Sequence, residues 1–139
     1  MTPSRNIKIL AVLLVTFVFC DILLSPLGFE TRGSAILTNP ASLPWLGLLF
    51  GGLTLNIVSL ILVFFRARIA SIFAIIGSIG YIILGFADQL NLVTSLPPPQ
   101  LITDVEVITI VVLVATILFA SRVYRENSPH SDVGKNQET

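Results

Sequence analysis

LPWLGLLFGGLTLNIVSLILVFFRARIASIFAIIGSIGYIILGFAD, residues 43–88, carries no charge from 43 to 65 and none from 69 to 87, with only Arg66, Ala67 and Arg68 between the two runs. A helix rising 1.5 Å per residue needs about 20 residues to cross roughly 30 Å of hydrocarbon, and each run comes close to that length. Three intervening residues leave room for nothing but a tight turn. The two runs therefore read as a hairpin of antiparallel membrane helices.

Working outward, an apolar run from Ile7 to Leu24 is interrupted only by Lys8 near its start and Asp21 near its end, and a further run extends from Val107 to Ser121. Glu106 and Arg122 are placed to hold the ends of the last run at the two interfaces. The expected spans are 7–25, 43–65, 69–88 and 104–124. The fold class that follows is all-α: a polytopic membrane protein with four transmembrane helices in an up-down bundle over residues 1–126. Composition agrees, with 54% hydrophobic and 12% charged residues in 139 and a mean hydropathy of +0.92. Eight basic residues balance eight acidic ones, so no general electrostatic argument favours nucleic acid as a partner. A lone Cys20 excludes an internal disulfide, and a single His130 in a polar tail gives no basis for a metal cluster.

Orientation follows from the basic residues. Arg5 and Lys8 precede span one, Arg66 and Arg68 join spans two and three, and Arg122, Arg125 and Lys135 follow span four. The other side has Arg32 alone against Asp21, Glu30, Asp88, Asp104 and Glu106. The positive-inside bias then puts both termini in the cytoplasm of a cell-membrane protein. A cleaved secretory signal is the competing reading of the N-terminus, but Gly33-Ser34-Ala35 lies too far beyond Leu24 to serve as its cleavage site. Residues 127–139 combine mixed charge with little apolar content, which predicts a disordered cytoplasmic tail.

The helix ends are predicted from local chemistry. Thr103-Asp104-Val105-Glu106 reads as a capping box that starts span four. Pro44 suits the first turn of span two, and Asn39-Pro40 is a slightly earlier start for it. Ser25-Pro26 is expected to end span one, leaving an outer loop over 25–43 with apolar residues enough for a short interfacial helix. Leu96-Pro97-Pro98-Pro99 predicts a stiff, non-helical connection. No internal repeat stands out.

Small and polar residues supply the candidate sites. In span two, Gly47 and Gly51 lie with Thr54 on one face, while Gly52, Asn56 and Ser59 fall on roughly the opposite one. In span three, Ala70, Ala74, Gly77, Ser78 and Gly85 form a broad small-residue stripe of the kind that lets membrane helices approach closely. These are expected to be packing seams. Asp21 is costly in hydrocarbon unless it sits near the interface or finds partners. The simpler expectation is that it marks the membrane edge. The alternative is that it faces the bundle and joins Asp88, Asp104 or Glu106 in an acidic outer vestibule, with Asn56 and Ser59 lining a polar path.

No phosphate loop, nucleophile triad or paired histidines is present in the sequence, so neither enzyme chemistry nor a cofactor is expected. The Asn39-Pro40-Ala41 tripeptide occurs once, whereas water channels need two facing copies. The function expected is that of a non-enzymatic accessory or assembly subunit, embedded in the lipid bilayer and docking through its small-residue helix faces on a membrane-protein partner or a second copy. The alternative is a small cation-linked transporter or oligomeric channel using Asp21, Asn56, Ser59 and Asp88.

Overall fold

A computed structural model describes residues 3–128. Four helices account for most of them: α1 (Arg5–Thr38), α2 (Leu43–Leu62), α3 (Ala67–Gln89) and α4 (Gln100–Glu126), with a single 3-10 turn at Pro40–Ser42 ahead of α2. All four are long and apolar enough to cross a membrane, and no strand occurs among the described residues. The tail from 129 onward lies outside the described residues.

Around the bundle, α2 packs on α3, α3 on α4 and α4 on α1, while α1 and α2 touch least. At one end, Ser4 and Asn6 both donate to Glu126, and Arg68 reaches the hydroxyl of Tyr124 at 3.3 Å. Leu10, Ala11, Leu14, Val63, Ala70, Ala74, Ala120 and Val123 form the apolar core of that end. Farther along, Phe17, Tyr81 and Leu113 pack together, with the Phe17 and Tyr81 rings edge to face at 4.9 Å.

Polar side chains share the interior while many large apolar ones lie on the surface. Asn56, Ser59, Ser71, Ser78 and Thr116 are fully buried, whereas Val12, Phe19, Phe50, Ile61, Val111 and Leu118 are exposed. A bundle in water would bury the large apolar side chains. Here the buried hydroxyls find acceptors close by: Ser71 donates to the carbonyl of Ala67 and Thr116 to that of Val112, both at 2.8 Å. This arrangement suits a surrounding solvent of hydrocarbon, in which polar groups must be satisfied inside the protein.

Three expected helix ends are corrected. Span one does not stop at Ser25-Pro26; α1 runs on to Thr38, with Pro26 inside it. Proline removes one backbone donor, but a membrane helix tolerates this where packing holds the flanking turns, and Arg32 and Gly33 beyond it are both buried. At 34 residues α1 is about 51 Å long, so it exceeds the hydrocarbon thickness and makes a helix of the expected outer loop. Span two ends at Leu62, not 65. In the hairpin turn the N–H groups of Phe65 and Arg66 both return to the carbonyl of Leu62, and Ala67 already belongs to α3.

The capping box at Thr103 is the third correction. Helix α4 begins at Gln100 directly behind the prolines, with the N–H groups of Ile102 and Thr103 bonded to the carbonyl of Pro99 and no side-chain cap. Asp104 accepts instead from Gln100 Nε2 at 2.9 Å. The prolines at 97–99 stay non-helical as predicted, Asn39 caps the 3-10 turn by accepting from the N–H of Ala41 at 3.1 Å, and Pro44 lies in the first turn of α2.

Candidate functional site

The α2–α3 seam is built around Gly52 and Gly77. A Cβ added to Gly52 would lie 3.0 Å from the Gly77 carbonyl oxygen, and one added to Gly77 would lie 2.9 Å from both the Gly52 oxygen and the Asn56 amide. Only glycine allows this approach. Asn56 donates to the Gly52 carbonyl at 2.9 Å and accepts from Ser78 at 3.3 Å, while Ser59 crosses the seam to the carbonyl of Ala70 at 2.8 Å. Asn56 and Ser59 thus bond within the seam, and Ala70 and Ala74 continue it into the apolar core. Gly85 faces α4, where an added Cβ would lie 3.3 Å from Ile110 Cδ1. Gly47 and Gly51 point the other way: both are exposed and an added Cβ at either would meet nothing within 4 Å.

At the opposite end of the bundle from Glu126, polar groups converge from three helices. Arg32 of α1 grips Asp88 of α3 through two parallel hydrogen bonds of 2.7 Å each, from Nη1 and Nη2 to the two carboxylate oxygens. The pair is buried, Arg32 at 6% exposure and Asp88 at 5%. Such fork-to-fork pairing is the strongest geometry available to the two groups. Its position is fixed by the end of α3. Asn91 adopts a left-handed φ of 56°, its N–H returns to the carbonyl of Asp88, and the N–H of Leu92 returns to that of Ala87 at 2.9 Å. This is a Schellman ending, with Asp88 in the last turn. Ser42 secures the next stretch by donating to the Val93 carbonyl at 3.0 Å.

Asp21 is also buried, at 4% exposure. It faces the bundle, where the Tyr81 hydroxyl and Ser25 Oγ both donate to it. Glu106 accepts from Gln89 and stands close enough to Asp88 and Arg32 to feel both charges. Asp21, Asp88 and Glu106 lie in one region of the bundle, since Glu106 stands beside Asp88 and the Tyr81 that binds Asp21 stands near Glu106 as well. Asp21, Asp88 and Glu106 each have their own donor, and Asp104 is exposed on the first turns of α4.

A cavity of about 90 Å³ opens beside this cluster, lined by residues of all four helices. Its walls are mainly apolar, from Leu24, Phe29, Trp45, Leu46, Leu49 and Leu84, and Arg32, Asp88, Tyr81 and Glu106 lie at its polar side. Arg32 Nε is buried and has no hydrogen-bond partner. Sequence reading singled out Asp21, Asp88 and Glu106 but not Arg32 or Tyr81 as their companions in this region. The available signal was Arg32 itself, a lone cation on an otherwise acidic side. Compared with family models, with curated proteins and with solved structures, the chain matches none.

Proposed function

We propose that the protein is a non-enzymatic, multi-pass protein of the cell membrane, an up-and-down bundle with both termini in the cytoplasm. It serves as an accessory or assembly subunit that seats another transmembrane helix, from a partner or a second copy, on the outward face of α2. The observation that carries this reading is the open pair Gly47 and Gly51, four residues apart with Thr54 beside them on the exposed side of a helix whose other side is already closed by α3. A second helix can approach the backbone there as closely as α3 does at Gly52, gaining dispersion contacts that lipid tails do not match.

Gly51→Leu and Gly47→Leu are expected to abolish the native complex on a mild-detergent gel while leaving the helical spectrum of the isolated protein unchanged. Mass spectrometry of the complex distinguishes a partner from a second copy. A complex that survives both substitutions overturns the proposal. Gly77→Leu is not an equivalent test, because its side chain would strike the Gly52 backbone inside the bundle.

A further inference from the structure

We infer that the end of the bundle where α1 begins and α4 finishes gathers net-negative lipids of the adjoining leaflet, with Arg68, Arg122 and Arg125 holding their phosphates. Arg5, Lys8, Arg66, Arg68, Arg122 and Arg125 all lie at this end with exposed side chains, against Glu126 alone among the described acidic residues. Glu126 takes its donors from Ser4 and Asn6. None of these cations forms an ion pair among the described residues, where Arg32 with Asp88 is the one such pair. Two of them rest on rings instead. The Arg68 guanidinium lies 5.2 Å from the centre of the Tyr124 ring while it donates to the hydroxyl, and that of Arg122 lies 5.2 Å from the centre of the Phe119 ring. Arg68 therefore stands against α4 at the residue before Arg125, and Arg122 and Arg125 share the side of α4 that faces away from the buried Ala120 and Val123. The result is one basic surface across α3 and α4, with N–H groups to spare on each guanidinium.

The arginines begin where the lipid-facing apolar side chains stop. Phe64 and Phe65 are 56% and 84% exposed directly before Arg66, and Leu118 is 60% exposed one turn before Arg122. In a bilayer this is the depth of the headgroup phosphates, which a planar guanidinium binds through two hydrogen bonds. A lipid delivers its phosphate at that depth already confined to the plane, as a soluble anion does not. The phosphate of phosphatidylcholine carries its own cation, so the pull of the surface on that headgroup nearly cancels, whereas a lipid with net negative charge keeps it. The opposite end offers no such surface, since Arg32 is buried in the grip of Asp88 while Glu30 and Asp104 are exposed. This recognition presupposes a bundle that spans a bilayer and does not depend on what docks on α2.

The test reconstitutes the full chain in phosphatidylcholine bilayers with a trace of either phosphatidylglycerol or phosphatidylcholine, spin-labelled near the end of one acyl chain. Electron paramagnetic resonance then reads the fraction of label slowed at the protein surface. A slowed fraction with phosphatidylcholine reports that the bundle lies in the bilayer, so headgroup preference is measured separately from membrane insertion. Phosphatidylglycerol is expected to associate about fivefold more strongly at this end, the equivalent of about 1 kcal/mol for one basic residue near the surface, and so about threefold averaged over both ends. The preference should fade as sodium chloride approaches about 1 M, where the screening length is about 3 Å. Arg68→Gln with Arg125→Gln should remove about half of it or more, at an unchanged helical spectrum, whereas Arg68→Lys with Arg125→Lys should keep most of it because the charge remains. Equal association of the two lipids with the wild type overturns the inference. A preference that survives the paired glutamine substitutions in full, or that salt does not weaken, also overturns it, because exposed arginine charges would then contribute nothing.

Discussion

Arg32 and Asp88 hold each other's charge out of water, so removing one strands the other. Asp88→Ala is expected to destabilise the bundle by about 3–5 kcal/mol in an unfolding titration in mixed micelles, whereas the paired change Arg32→Met with Asp88→Leu should cost far less. Glycine contacts divide the same way by face. Gly77→Ala must displace a neighbour lying 2.9 Å from the new atom and should lose roughly 1–3 kcal/mol, while Gly51→Ala should leave the isolated protein's stability unchanged. Individual residues were legible as costly: Asp21 was recognisable as a carboxylate within an apolar run, and Arg32 as a basic residue on the wrong side. Their partners were not legible. Tyr81 and Asp21 are 60 positions apart, and Arg32 and Asp88 56, so which donor meets which acceptor depends on how α1 rotates against α3. Helical periodicity gives the angle between residues of one helix but not that rotation.

At the level of the helices, the long uncharged runs 43–65 and 69–87 revealed α2, α3 and their hairpin, because hydrocarbon thickness fixes length. The ends were harder to read. Ser25-Pro26 and Thr103-Glu106 are signals learned from helices in water, where a lost donor or an uncapped end is decided locally. In α1 the packing of Arg32 and Gly33 beyond Pro26 overrides the lost N–H. Pro26→Ala should therefore leave α1 continuous and the thermal stability equal or higher, as read by circular dichroism; a fall would mean that the proline sets a bend the bundle needs. Asn91 tests the other end of the site. Its left-handed backbone suits asparagine and glycine and opposes a β-branched residue. Asn91→Gly should be neutral or stabilising, and Asn91→Val should cost about 1–2 kcal/mol, both measured in the same unfolding titration.

For the molecule as a whole, many large apolar side chains face outward, while hydroxyls, an amide and an ion pair share the interior with the apolar core. That arrangement was implied by composition, since too few charged residues exist to clothe four helices in water. The division of the two faces of α2 was also legible, Gly52, Asn56 and Ser59 turning inward and Gly47, Gly51 and Thr54 outward. The cavity was not, because it depends on α1 continuing past Pro26 to bring Gly28, Phe29 and Arg32 into the same lining as Trp45. The account stands on four crossings of a bilayer, with the basic ends inside. Its most direct test uses a Cys20→Ser background carrying a single new cysteine, either at Ser95 in the connection between α3 and α4 or behind Thr139 at the C-terminus, probed in intact cells with a membrane-impermeant maleimide. The prediction is that the cysteine at position 95 is labelled at once and the one behind Thr139 only after the cells are permeabilised. Labelling of the C-terminal cysteine in intact cells, or recovery of the protein in the soluble fraction without detergent, would contradict it.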